Sequence, residues 1–478
     1  MTYENVKLYI GGKWLSSSDG RTGDVINPAT GEKIGTVDLA SRRDLEKAVD
    51  AAQEGFRAWS RISAFERSKI IRRAAALLRE RLEAVATTLT TDAGKPLAEA
   101  RLEINACADL LDWFAEEGRR AYGRVIPARS LSVQQLACKD PVGPAVGFTP
   151  WNFPASQIIR KLGPAVAAGC SIIIKGPEEA PGAAAALFRC LDDAGFPAGV
   201  VNLVFGVPAE VSEFLVPHPV IRKISFTGSV GVGKHLASLA GLHMKRVTME
   251  LGGHAPVIVA DDADVEAATT ALVASKFRNA GQVCISPTRF LLQDKVHDAF
   301  VDAFVRKAGS LKVDDGLAEG TQMGPLISHK RRAAVEGLIE DATAKGAKIA
   351  LGGERMKNRG FFFAPTVLTE MTTDMKAMNE EPFGPLALVR RFSDIDEALE
   401  EANRLPFGLG SYAWTRSAQT ARRFAQGIQA GMVSINHIGL GLPETPYGGV
   451  KDSGYGYEGG IEALDGYLNT RFITHDMT

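Results

Sequence analysis

Three side chains suited to carbonyl chemistry stand far apart in the sequence: Asn152, Glu250 and Cys284. Asn152 lies in Thr149-Pro150-Trp151-Asn152-Phe153-Pro154, where two prolines fix the backbone on either side. An amide NH₂ held that firmly can donate to a developing oxyanion, although a turn-forming Asn that caps the next helix has the same appearance. Glu250 closes the apolar run Val247-Thr248-Met249 and precedes Gly252-Gly253. Apolar surroundings raise a carboxyl pKa and suit it to general-base work, and a capping or turn carboxylate is the structural alternative. Cys284 sits in Phe277-Arg278-Asn279-Ala280-Gly281-Gln282-Val283-Cys284-Ile285-Ser286, an irregular connection between two regular elements. Such a place holds a reactive thiol where a substrate can reach it, and small Ala280 and Gly281 let backbone and substrate approach the sulfur. An inert buried thiol is the competing reading.

Two further stretches have the chemistry of a nucleotide site. Lys175-Gly176-Pro177-Glu178 ends a strand, so Lys175 can meet a phosphate or ribose and Glu178 can accept from ribose hydroxyls; a surface ion pair is the alternative. Phe226-Thr227-Gly228-Ser229-Val230-Gly231-Val232-Gly233-Lys234 reads as strand, glycine-rich turn and helix. Its glycines miss the GxGxxG fingerprint. Gly228, Gly233 and Lys234 fit a P-loop, but His235 stands where Ser or Thr would hold magnesium. An ATPase is therefore excluded, and a backbone N–H site for pyrophosphate at a helix N-terminus is kept.

The elements that must position these residues follow from periodicity. Lys7–Trp14 and Asp24–Val37 alternate as short antiparallel strands. Ser41 with Asp44 makes an imperfect capping box, and Ser63 with Glu66 fits the motif itself. Helical spacing follows over Ile70–Leu82 and again over Leu97–Arg119. Residues Arg129–Lys139 read as an edge strand of the kind another subunit covers. Strands Ala145–Phe148, Ser171–Lys175, Val200–Val204, Lys223–Phe226 and Arg246–Glu250 then alternate with helices, the pattern of a parallel α/β sheet that binds ligands at its carboxyl edge. A second alternation runs from Ala255 to about Ile435. The tail, Tyr467–Ile473, is one more strand, expected to pair with the exposed hairpin of a neighbouring chain.

Composition narrows the function classes. At 478 residues the chain exceeds one ordinary core, and 45% hydrophobic with 23% charged residues describes a globular protein. A net charge of −1 leaves no footprint for nucleic acid or an anionic membrane. The polar start Met1-Thr2-Tyr3-Glu4-Asn5-Val6-Lys7 is no signal peptide, and no run is long enough to span a membrane. Five scattered cysteines (Cys107, Cys138, Cys170, Cys190, Cys284) form no disulfide framework, which points to a cytoplasmic protein. Eight histidines show no metal-binding spacing, so no catalytic metal is expected.

Taken in order, Asn152, Lys175 with Glu178, Gly228-Ser229, Glu250-Leu251-Gly252-Gly253, Gly281-Gln282-Val283-Cys284 and Glu381-Pro382-Phe383-Gly384-Pro385 resemble the successive signatures of the NAD(P)-dependent aldehyde dehydrogenase superfamily. The resemblance extends to Asn27-Pro28-Ala29-Thr30-Gly31 and to Pro446-Tyr447-Gly448-Gly449-Val450-Lys451-Asp452-Ser453-Gly454. It implies an α/β, aldehyde dehydrogenase-like fold. Residues 1–122 and 143–252 would form a Rossmann-type NAD-binding domain, 253–450 an α/β catalytic domain, and 123–142 with 451–478 a small β oligomerisation element of a homodimer or homotetramer. It further implies Cys284 as nucleophile, Asn152 as oxyanion donor and Glu250 as the base that activates water on the thioester. Trp151, Lys175, Glu178, Gly228, Ser229, Leu251, Glu381 and Phe383 would hold the cofactor. A Glu178 carboxylate facing the ribose 2′-hydroxyl repels a 2′-phosphate, so NAD is expected ahead of NADP.

Arg160, about two helical turns past Asn152, and Arg278, six residues before the cysteine, resemble the arginines that bind the distal carboxylate in succinate-semialdehyde dehydrogenases. Gly241–Arg246 and Lys276–Phe290 are most similar to 2-oxoglutarate-semialdehyde dehydrogenases, with Gln157 reaching a longer substrate. The chain departs from the succinate-semialdehyde pattern at Gly439-Leu440-Gly441-Leu442, where small polar residues often line the pocket. Ser286 stands where some relatives carry a second, redox-active cysteine. The rival readings are a CoA-acylating enzyme, which generally lacks a base at the Glu250 position, and a silent nucleotide-binding relative, which would have lost Cys284 or Glu250.

Overall fold

The computed structural model describes residues 3–357 and 359–478; Met1 and Thr2 of the polar N-terminal stretch lie outside them. Five apolar strands, Ala145–Phe148, Ile172–Lys175, Val201–Val204, Lys223–Gly228 and Arg246–Leu251, form the parallel centre of an eight-stranded sheet. Every residue from Ala145 to Phe148, from Ile172 to Lys175 and from Val201 to Val204 is buried, as strands covered by helices on both faces require. The spatial order is 201–204, 172–175, 145–148, 223–228, 246–251. The chain therefore winds one way from Ala145–Phe148 and the other way from Lys223–Gly228. These two strands are neighbours in register, Phe148 opposite Phe226, and the connections leaving their carboxyl ends diverge. A crevice opens at such a switch point, and ligands of open α/β sheets bind in it.

Antiparallel strands extend both edges: Leu8–Ile10 and Lys13–Leu15 on one side, Gly454–Tyr455 against Arg246–Leu251 on the other. A second, seven-stranded sheet is parallel except at Lys348–Leu351. The loop that holds Cys284 lies in the connection between its neighbouring strands Pro256–Val259 and Arg289–Gln293. Each sheet has its own hydrophobic core. A further small cluster, Val283, Ile285, Leu409, Met432 and Tyr447, packs around Cys284.

Two expectations are corrected. The tail strand Leu468–Asp476 pairs with Val133–Pro141 of its own chain, in unbroken antiparallel register from Leu468 opposite Pro141 to Asp476 opposite Val133. Nine residues of matched backbone donors and acceptors satisfy that edge without a neighbouring chain. The capping boxes also exchange quality. Ser41 and Asp44 close both reciprocal bonds, because the short Asp44 side chain still reaches the Ser41 N–H at 3.1 Å. Ser63 accepts from the Glu66 N–H, whereas the Glu66 carboxylate pairs with Lys69. Among the described residues, no helix is long and apolar enough to cross a membrane, and no cluster of His, Cys, Asp and Glu could hold a metal ion.

Candidate active site

Three cavities meet where the two sheets face each other. The first, about 220 Å³, is lined by Asn152, Gln157, Glu250, Leu251, Cys284, Glu381 and Phe383 among others. It shares Trp151, Gly228 and Ser229 with a second cavity of about 620 Å³ that reaches Lys175 and Glu178. It shares Gln157 and Cys284 with a third of about 180 Å³, which contains Arg160, Arg278, Leu440 and Tyr447. The candidate catalytic, cofactor and substrate residues thus line three cavities that share walls.

The loop that carries Cys284 is built under strain. Asn279, Ala280 and Gly281 are consecutively left-handed, with φ of 49°, 53° and 72°. For the two non-glycine residues that conformation costs roughly 1–2 kcal/mol each, so packing has to enforce it. Gly281 lies so close to the Gly384 carbonyl that any β-carbon would overlap it. Its small size therefore serves the contact between this loop and the Glu381–Pro385 segment, not substrate access as the sequence suggested. Asn279 is locked by three bonds: its N–H donates to Glu99, and its amide donates to the backbone oxygens of Asn152 and Gln282.

Cys284 is half-buried, with Sγ 3.1 Å from the Tyr447 hydroxyl. Burial pushes its thiol up to about 11, and the Tyr447 hydrogen bond works the other way. Asn152 donates from Nδ2 to the Gln282 carbonyl at 3.0 Å, which leaves the second amide hydrogen free, and its buried Oδ1 has no partner. Glu250 is 2% exposed, and neither carboxylate oxygen has a hydrogen-bond partner. Burial, reinforced by the Glu458 carboxylate, holds it well above the usual carboxylate range, while Lys161 and Arg160 oppose the shift. Lys161 donates to both oxygens of Glu458 at 2.7 and 2.8 Å and to Thr227 at 2.5 Å. An unpartnered acid in a cavity, above a satisfied ion pair, is poised to bind water.

The cofactor side fits a dinucleotide. Ser229 caps the helix Val230–Leu242 without a side-chain hydrogen bond, and Ser229, Gly231 and Val232 at that helix start line the large cavity. A β-carbon at Gly231 would meet nothing within 4 Å, so space is open at that turn. Glu178 is fixed by Lys175 Nζ at 2.5 Å and by the Gly206 N–H at 2.9 Å. It is at once the ion pair and the cavity-lining carboxylate that the sequence offered as alternatives. Trp151 and Phe383 stand edge to face, ring centroids 5.5 Å apart, and both line the first cavity. Glu381 accepts from the Gly253 N–H at 3.2 Å and is pushed up to about 7 by burial.

The two arginines differ. Arg160 is buried and already donates to the carbonyls of Glu458 (3.0 Å) and Gly441 (2.5 Å), with its guanidinium 4.4 Å from the Tyr447 ring centroid. Arg278 is exposed and lies 5.3 Å from the Phe153 ring centroid in the same cavity as Cys284. Sequence reasoning passed over Lys95, Lys161, Arg331, Tyr447 and Glu458, which support or line the site. Only Tyr447 lay inside a recognised motif, and its ring gave no signal that it touches Cys284.

The model of the Aldehyde dehydrogenase family matches residues 14–473. The chain belongs to the aldehyde dehydrogenase family. It is accordingly an NAD(P)-dependent oxidoreductase acting on a small-molecule aldehyde. It is 46% identical over 471 residues to 4-(hydroxymethyl)benzenesulfonate dehydrogenase TsaD1 of Comamonas testosteroni, covering 98% of both chains. Over 464 residues it is 40% identical to succinate-semialdehyde dehydrogenase (NADP(+)) GabD of Escherichia coli, covering 97% of this chain and 96% of the other. The crystal structure of succinate-semialdehyde dehydrogenase from Burkholderia pseudomallei is 41% identical and superposes with a TM-score of 0.97 over 98% of each chain. The enzyme has the aldehyde dehydrogenase fold and falls in the semialdehyde dehydrogenase branch.

Proposed function

We propose that the enzyme oxidises a short aliphatic aldehyde with a distal carboxylate, 2-oxoglutarate semialdehyde or succinate semialdehyde, to the dicarboxylic acid. The observation that carries this reading is the cavity that opens on Cys284 at one end and on the exposed Arg278 guanidinium further along. A guanidinium in a half-enclosed site binds a carboxylate by a charge-assisted, two-pronged contact.

In this reading the Cys284 thiolate adds to the aldehyde carbon, and the free Asn152 amide hydrogen steadies the resulting oxyanion of the thiohemiacetal. The bound nicotinamide supplies a hydride acceptor. Loss of hydride leaves a thioester on Cys284. Glu250 takes a proton from water as the water oxygen bonds to the thioester carbon, and the C–S bond breaks to release the acid and the thiolate. Trp151 and Phe383 would flank the nicotinamide, Leu251 and Glu381 would meet its ring and ribose, Gly228 and Ser229 the pyrophosphate, and Lys175 and Glu178 the adenine ribose.

Glu178 favours NAD by repelling a 2′-phosphate, and its partner Lys175 offsets part of that repulsion, which leaves NADP as a second acceptor. Residues 123–142 and 451–478, already paired within one chain, would offer the exposed outer edge of Leu468–Asp476 to another subunit in a homodimer or homotetramer.

A sulfonated aldehyde is the second reading. Sulfonate and carboxylate present similar anionic oxygens to an arginine, and TsaD1, whose name carries a benzenesulfonate, shares 46% identity. The test is kcat/KM for succinate, glutarate and 2-oxoglutarate semialdehydes, a sulfonated aldehyde and an uncharged aldehyde of equal length, each with NAD and NADP. The carboxylated substrates are expected to lead the uncharged one by at least tenfold, with NAD ahead of NADP. Equal values for the uncharged aldehyde overturn the anion reading, and a leading sulfonated aldehyde replaces the carboxylate.

A further inference from the structure

Tyr447 stands 163 residues from Cys284 in the chain, yet its hydroxyl is the hydrogen-bond partner of the sulfur, 3.1 Å away. The phenol is 5% exposed and cannot swing aside. Its ring lies against the Arg160 guanidinium on one side. Gly441 abuts the same stacked pair, and a β-carbon there would lie 3.2 Å from both the ring carbons and Arg160 Nη2. The backbone is fixed as well, since the Tyr447 carbonyl accepts from the Glu458 N–H at 2.8 Å. The next residue, Gly448, sits against Glu250, where a β-carbon would lie 3.2 Å from Oε1. One dipeptide thus touches both the thiol and the carboxyl of the site.

We infer that Tyr447 is a further catalytic residue, whose hydroxyl donates a hydrogen bond to the ionised sulfur of Cys284 and favours the attacking thiolate. The inference rests on the reading of Cys284 as nucleophile. When the thiol ionises, its proton passes to water in the cavity and the phenol keeps its own, now directed at sulfur. Burial and the neighbouring thiolate keep the phenol protonated, so it remains a donor across the working pH range. The Arg160 cation against the ring face withdraws electron density and makes the O–H a better donor. The guanidinium that lies beside the substrate cavity is thereby connected to the nucleophile through a single side chain. Once the C–S bond forms, sulfur is a poor acceptor and the bond is lost, so the contact favours the state that precedes attack.

The charged and titratable groups facing Cys284 are Glu250 from the end of strand Arg246–Leu251, Glu381 from the segment behind the loop, and Arg160 from the helix Ser156–Ala168. All three are unchanged by Tyr447→Phe, which removes one oxygen and keeps the ring. The test is the rate of iodoacetamide alkylation of Cys284 against pH, followed by mass spectrometry of its peptide. In the unsubstituted enzyme the rate should climb toward a midpoint near 11. In Tyr447→Phe the midpoint should move up by about one unit, an alkylation rate about tenfold lower at any pH below it, as loss of one hydrogen bond to a charged group implies. A ring-fluorinated tyrosine at position 447, more acidic and nearly the same shape, should move the midpoint down. Unchanged midpoints in both variants overturn the proposal, whatever happens to stability. Alkylation needs no turnover, so the outcome is separate from the turnover of a Cys284→Ala variant, which, if retained, would refute the nucleophile assignment itself.

Discussion

Nζ of Lys95 donates a 2.9 Å hydrogen bond to the backbone carbonyl of Asn152. Lys95 is itself held by Glu103 at 2.5 Å, and the other oxygen of Glu103 accepts from the N–H groups of Ala155 and Ser156 at 3.0 and 3.1 Å. A buried ion pair therefore fixes both ends of the turn that carries Asn152, the proposed oxyanion donor. Replacing Lys95 by Met leaves Glu103 buried without its cation, which costs about 3–5 kcal/mol. Urea unfolding of Lys95→Met should show that loss, and kcat should fall more than KM rises. Adding Glu103→Gln should restore part of the stability and little of the activity, since the Asn152 carbonyl still lacks its donor.

Glu250→Gln should separate the two halves of the reaction. In the proposed mechanism the carboxylate acts only in hydrolysis of the thioester and not in its formation. Stopped-flow absorbance should show a burst of reduced cofactor near one equivalent per site, followed by a steady rate slowed roughly 10²–10⁴-fold. A variant that loses the burst along with the steady rate would assign Glu250 to an earlier step.

Arg278→Ala and Arg160→Ala should differ in kind. Arg278 is exposed in the cavity, so its loss should lower kcat/KM for an anionic aldehyde about tenfold to a hundredfold, the worth of a charge-assisted bond, and leave an uncharged aldehyde unaffected. Arg160 ties Glu458 to Gly441 and packs on Tyr447. Its loss should lower the melting temperature and impair both aldehydes. A selective defect in Arg160→Ala and a general one in Arg278→Ala would reverse the assignment.

Asp92 is fully buried, accepts from the Ala183 N–H at 3.0 Å, and is pushed up to about 7 by desolvation. A carboxyl raised in the folded state binds its proton more tightly there than in the unfolded chain. Its contribution to stability is complete below the unfolded value near 4 and is lost as pH rises through 7. The unfolding free energy of the native enzyme should fall relative to that of Asp92→Asn over this window, by on the order of 4 kcal/mol. Parallel curves for the two proteins would place the Asp92 titration elsewhere.

The sequence by itself determined the elements and most of the chemistry. Each of the five parallel strands was legible to within two residues, because a strand buried on both faces is an unbroken apolar run. Glu250 was legible because it ends such a run with a side chain that burial penalises, Asn152 because two prolines bracket it, and Cys284 because it stands beside small residues on the connection between two regular elements. Only the tertiary structure decided how these residues are held. Tyr447 meets Cys284 across 163 positions and Lys95 meets Asn152 across 57, contacts that leave no local periodicity. The three left-handed residues before the cysteine are also a product of packing, since Asn279 and Ala280 have no intrinsic preference for that conformation strong enough to impose it. The tail strand was recognised, but whether its partner lay in this chain or another depended on where residues 133–141 stood in space. Local pattern encodes which side chains are apolar and which can react; the distances between them follow from the order in which the strands assemble.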